Sequence, residues 1–163
     1  MEIRKSCIDD LPQILDIYQC AREYMKKSGN PTQWGDNYPC LECITKDIND
    51  GISYVICENN VPHGVFVFFR GDDPTYFEIE GAWLNENPYG VIHRIGSDGK
   101  ISGVFKALSD FAKEQIADVR IDTHNDNQTM QHLLEKHGFK NCGIIHLANG
   151  QPRLAYHYTR AGL

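Results

Sequence analysis

The chain has 163 residues, 41% of them hydrophobic and 23% charged, with a formal net charge of −6. That length suits one domain over 1–163 with a core of its own, and the acidic balance argues against nucleic acid, because phosphate binding needs a basic face. The longest apolar run, Val65-Phe66-Val67-Phe68-Phe69, is far too short to cross a bilayer and Met1-Glu2-Ile3-Arg4 opens no secretion signal, so a cytoplasmic protein without a membrane partner is expected.

Glu2-Ile3-Arg4-Lys5 reads as a first strand. Asp9 and Asp10 offer a cap before an apolar series at Ile14, Leu15, Tyr18, Ala21 and Met25, which predicts a helix. Lys26 and Lys27 suit its C-terminal dipole, and Gly29 suits the left-handed position beyond it. A turn-rich loop at 30–39 carries Trp34 and Tyr38, and a short helix over Leu41 to Asn49 follows. Strands are predicted at Ser53 to Glu58, Gly64 to Phe69 and Phe77 to Leu84, the first two joined by a hairpin at Asn59-Asn60.

Val91 to Ile95 predicts the next strand. Val104, Leu108, Phe111 and Gln115 follow helical spacing, Val119 to Asp122 returns to strand, and Met130, Leu133, Leu134 and His137 mark a last helix stopped by Gly138. Cys142 to Ala148 and Arg153 to Tyr158, joined through Asn149-Gly150, read as a hairpin. Strands and helices mixed without strict alternation give an α/β (α+β) fold.

Six cysteines in a chain without a secretion signal are read as reduced thiols. Cys40-Leu41-Glu42-Cys43 has metal-type or redox-type spacing, but no second pair completes a zinc set. Free thiols at the start of a short helix are the simpler reading, with a thiol or zinc protein as a rival. His124-Asn125-Asp126-Asn127, with Asp122 and His132 nearby, reads more simply as helix capping, so no metal is expected.

The segment from Val91 to Phe139 carries the chemistry. Lys100-Ile101-Ser102-Gly103-Val104-Phe105 opens a helix after a strand, where unpaired N–H groups and the helix dipole favour an anion. Gly103 permits close backbone approach, and Lys100 adds a cation. A P-loop would need Gly-x-x-x-x-Gly-Lys-Ser/Thr, and a dinucleotide fold would need Gly-x-Gly-x-x-Gly; neither spacing occurs. The loop resembles the Gln/Arg-x-x-Gly-x-Gly/Ala of the GNAT superfamily of N-acetyltransferases, with Lys100 in the first place and Phe105 in the last. Asn127 to Phe139 is similar to that family's Asn-x-x-Ala-x-x-Leu-Tyr-x-x-x-Gly-Phe, with Met130 for the small residue and Leu134 for the tyrosine.

The resemblance implies the GNAT fold, a mixed central sheet flanked by helices, and acetyl transfer from acetyl-coenzyme A to an amine by direct attack. It implies that Lys100, Gly103, Val104 and Phe105 meet the pyrophosphate, and that Ile95 and Gly96 pair with the pantetheine arm and supply an oxyanion N–H. Asn127 and Leu134 would line the cofactor's other side, and a homodimer is open by the family's habit alone. Glu80, placed on the strand with Glu78, Ala82 and Leu84, is the first choice of general base, and His93 the second. Leu134 leaves the general acid open; Tyr156, Tyr158 or Tyr89 could serve by position, or water alone. Trp34 and Tyr38, with Tyr24 near the same helix end, would wall the pocket of a small-molecule or peptide amine. The rival is a non-catalytic acyl-coenzyme A sensor on the same fold.

Overall fold

The computed structural model describes residues 1–160, which divide into two compact units, Met1–Phe68 with His93–Leu108 and Phe69–Ile92 with the described residues from Ser109 on. In the first unit β1 (Glu2–Lys5) pairs antiparallel with β2 (Ser53–Glu58), and β2 with β3 (Val61–Arg70). Asn59 and Asn60 both take positive φ, 53° and 66°, which gives the two-residue hairpin turn expected of an Asn-Asn pair.

Helix α1 (Leu11–Lys27) buries Ile14, Ile17, Tyr18 and Ala21 on one stripe. It ends as its sequence dictates: Gly29 has φ +88°, and the Asn30 N–H reaches back to the Met25 carbonyl at 2.8 Å. Helix α2 (Leu41–Asn49) adds Ile44 and Ile48, which pack with Ile14, Ile17, Tyr18, Val55, Cys57 and Val65 into one core cluster.

In the second unit the predicted strand at Phe77 to Leu84 does not form. A 3-10 turn at Pro74–Tyr76 precedes a two-residue strand, β4 (Glu80–Gly81), which pairs with β7 (Lys140–His146). The physical reason is a glycine contact that alternation could not reveal. A Cβ on Gly81 would fall 2.1 Å from the Cys142 carbonyl oxygen, and one on Gly143 would fall 2.0 Å from that of Glu80. Both glycines have φ near +130°, so the strand cannot run on in extended form.

Strand β5 (Gly90–Ser97) belongs to the second unit through Ile92 and to the first from His93, and α3 (Val104–Gln115) likewise passes from one to the other at Leu108. Gly90 and Val91 pair in parallel with Val119 and Arg120 of β6 (Asp118–Thr123). β6 pairs antiparallel with β8 (Pro152–Thr159), and β8 with β7, so the sheet is mixed. Helix α4 (Gln128–Lys136) starts where the Asn127 side chain accepts the Met130 N–H at 3.0 Å and stops at Gly138, φ +86°. A second core joins Tyr76, Tyr89, Val91, Ile145 and Ala155, with Phe69, Ile79, Trp83 and Leu147 against it. No helix among the described residues is long and apolar enough to cross a membrane.

Candidate active site

In the first unit the geometry is organised by Arg94, which lies within β5 and has φ +50°. A non-glycine residue there costs about 1–2 kcal/mol, so its surroundings must hold it. Three groups do so. Asp47 of α2 takes two bonds from its guanidinium, both at 2.8 Å, the Tyr38 hydroxyl accepts a third at 3.1 Å, and the Tyr18 hydroxyl donates to the Arg94 carbonyl at 2.8 Å. Burial works against the guanidinium's charge, but the Asp47 bonds outweigh it and hold Arg94 firmly protonated.

This knot stands directly before Ile95 and Gly96. Gly96 is buried, and a Cβ on it would press on Tyr18 at 3.0 Å and Ile17 at 3.3 Å. Glycine here lets α1 lie close against the strand. Trp34 continues the aromatic run edge-on, with its ring centroid 5.6 Å from Tyr18 and 6.0 Å from Tyr38. Tyr24 is exposed.

The loop after β5 is shaped by its own side chains. Ser97 Oγ accepts the Gly99 N–H at 3.1 Å, and Asp98 Oδ1 accepts the Lys100 N–H at 2.9 Å. Asp98 Oδ2 lies 2.8 Å from His63 Nδ1, and the Asp98 N–H donates to the His63 carbonyl, so the carboxylate is turned onto β3. Gly103 has φ +76°, and among the described residues only Met1 Cε, at 4.0 Å, stands near where its Cβ would be. The glycine is therefore required by backbone conformation and leaves open space beside the start of α3. Lys100 is exposed, whereas the side chains of Val104 and Phe105 are buried, leaving their N–H groups as what they can offer a ligand. His93 is half-buried.

The second unit holds the remaining expected residues. Glu80 is exposed on β4, Tyr156 is buried on β8, Asn127 caps α4 and Leu134 is fully buried. Burial pushes the Tyr156 phenol upward, which keeps it protonated at neutral pH. Sequence reasoning missed His157, whose ring lies 2.9 Å from Asp118 through Nε2 while Nδ1 accepts the Leu84 N–H at 3.2 Å. That backbone donor fixes the tautomer: Nδ1 is the acceptor, so Nε2 carries the proton and donates to the carboxylate. Burial lowers the His157 pKa despite its acidic partner.

A cavity of about 670 Å³ opens in the same unit, lined by Tyr76, Trp83, Tyr89 and Arg120 among others. The Arg120 guanidinium stands over the rings of Trp83 (4.2 Å) and Tyr89 (3.9 Å) and donates to the Asn85 carbonyl at 3.0 Å. Nothing in the spacing of Val119-Arg120-Ile121 marked that arginine as buried. Among the described residues no three His, Cys, Asp or Glu side chains gather as a metal site would need.

Of the expected residues, the first unit holds Tyr24, Trp34, Tyr38, His93, Ile95, Gly96, Lys100, Gly103, Val104 and Phe105, and the second holds Glu80, Asn127, Leu134 and Tyr156. Arg94, Asp47 and Tyr18, which organise the first group, were not foreseen. A polar residue inside a strand was the only available signal for Arg94.

No family model matches the sequence, and no curated protein matches it either. Solved structures do. A GNAT-family acetyltransferase from Streptococcus agalactiae 2603 is 32% identical, with 98% of this chain and 95% of that one covered at a TM-score of 0.88. A putative acetyltransferase from Staphylococcus aureus Mu50 is 27% identical over 98% of this chain and 99% of its own, at a TM-score of 0.71. AAC(6')-Ib, solved with ribostamycin and coenzyme A, shares the fold at 17% identity and a TM-score of 0.63, with 98% and 93% covered.

Proposed function

Because the chain belongs to the GNAT family of acetyltransferases, we propose that it transfers an acetyl group from acetyl-coenzyme A to an amine by direct attack. The observation that carries this is the 32% identity across 98% of the chain to a GNAT acetyltransferase. The loop supports it. Gly103 leaves its Cβ position open at the start of a helix, Asp98 is tied to His63 and Lys100, and Lys100 supplies a cation.

The co-substrate brings an activated acyl carbon and a thiolate leaving group. The Ile95 or Gly96 N–H, set by the left-handed turn at Arg94, stabilises the oxyanion that forms as the amine nitrogen adds. Collapse breaks the C–S bond, and the thiolate takes a proton from Tyr156 or from water. An alkyl ammonium has a pKa of about 10, so a base must take its proton first. Glu80, exposed and therefore readily hydrated, is the first candidate and His93 the second. Trp34 and Tyr38, with Tyr24 exposed at the end of α1, suit an amine with a flat or apolar body, either a small molecule or a peptide.

The test is thermal stability with and without acetyl-coenzyme A, followed by turnover on an amine panel read by mass spectrometry, since six cysteines would consume a thiol-reactive dye. Ligand at a hundred times its Kd should add about 2.7 kcal/mol. The shift should vanish in Gly103→Asp, with the ligand-free midpoint of that variant measured beside it. Absence of a shift at millimolar ligand would refute the cofactor assignment. Binding without turnover on any amine would transfer the assignment to a non-catalytic sensor.

A further inference from the structure

Cys40 and Cys43 stand apart from the transferase assignment. Cys40 is exposed at the N-cap of the nine-residue helix α2, and its Sγ accepts the Cys43 N–H at 3.3 Å. The two sulfurs are 2.9 Å apart. Residues three apart at the start of a helix have Cα atoms roughly 5 Å apart, within the range that a disulfide bridges. A bond between these sulfurs needs them to close by only about 0.9 Å.

We infer that Cys40 and Cys43 form a reversible dithiol–disulfide couple that exchanges with low-molecular-weight disulfides, with Cys40 as the attacking sulfur and Cys43 as the resolving one. Cys40 thiolate attacks one sulfur of the small disulfide, whose S–S bond breaks and whose departing thiolate takes a proton. Cys43, losing its proton to solvent, then attacks Cys40 Sγ and expels the second small thiol. Two protein thiols are oxidised by two electrons, and one disulfide is reduced to two thiols.

The roles follow from position. Cys40 is the exposed member, and its thiolate would receive the S–H and N–H of Cys43 at the positive end of α2. The same contacts lower the Cys40 pKa and raise that of Cys43, with their mutual hydrogen bond as the first cause in each. Cys7, also exposed, has no second sulfur beside it among the described residues and donates its S–H to the Asp10 carboxylate at 3.4 Å. Cys57 is buried. The couple lies two residues beyond Tyr38 and at the start of the helix that carries Asp47.

The experiment uses the reduced full chain in glutathione buffers of graded ratio at pH 7 without oxygen, quenched with N-ethylmaleimide and mapped by peptide mass. The 40–43 peptide should lose both labels in a single two-electron transition while Cys7 stays labelled. Cys43→Ser should accumulate glutathione on Cys40, and Cys40→Ser should slow reaction at Cys43 by roughly tenfold or more. The inference fails if Cys40 reacts no faster than Cys7, if Cys43→Ser carries no glutathione on Cys40, or if the isolated protein holds zinc that Cys43→Ser releases.

Discussion

Asp47→Asn is the most direct probe of the Arg94 knot. The change keeps the size of the side chain and one acceptor oxygen, but removes the charge and turns the second oxygen into a donor facing the guanidinium. Both side chains are largely buried, at 8% and 20% exposure. Removing one partner of a buried pair costs about 3–5 kcal/mol, because the remaining charge loses its compensation. Arg94 retains its bond to Tyr38 and some solvent, and the new amide would retain one acceptor, so the expected loss is about 2–4 kcal/mol. For a chain of this size that is a fall in Tm of roughly 5–15 °C. Urea denaturation gives the free energy and calorimetry the midpoint, and a double-mutant cycle with Arg94→Met should show a coupling of about 1–3 kcal/mol. Under the proposed function, turnover should drop more than acetyl-coenzyme A affinity, because Arg94 sets the direction of the next N–H. A loss under about 0.5 kcal/mol with no coupling would mean that the pair's desolvation cancels its attraction, and something else holds the left-handed backbone.

Other measurements test separate parts of the molecule. Gly81→Ala and Gly143→Ala should each destabilise by at least about 2 kcal/mol in urea, because the new methyl meets backbone oxygen near 2 Å and φ is near +130°; a neutral result would disprove the close approach. His157 has a depressed folded pKa, so below the unfolded value of 6.5 the unfolded chain binds the proton first. Stability should therefore fall as pH drops from 6.5 toward the folded value, by at most about 1.4 kcal/mol per pH unit from this group. His124, lowered chiefly by burial, acts in the same direction, so His157→Gln should flatten the Tm-against-pH curve only partly. An unchanged curve in that variant would contradict the buried neutral imidazole. Trp34→Ala should raise acceptor KM while sparing acetyl-coenzyme A affinity, and loss of that affinity would place Trp34 outside the acceptor wall.

The sequence by itself determined what local chemistry determines. Helix α1 has an apolar stripe and a glycine stop, α4 has an Asn cap and Gly138, and the turns at Asn59-Asn60 and Asn149-Gly150 need residues that tolerate positive φ. Each of these signals lies within a few residues of what it controls, and their order along the chain was enough to indicate the family. Only the tertiary structure decided the rest. Arg94 reads as one polar residue in a strand until Asp47, distant in sequence, closes on it. His157 looks like an alternating strand residue until Leu84 and Asp118 fix its tautomer. The segment Phe77 to Leu84 has strand composition, yet Gly81 must meet Gly143 with backbone against backbone. In all three cases the controlling energy is a contact between residues far apart in sequence, where a charge, a donor or a missing Cβ acquires its meaning from the partner that folding brings to it.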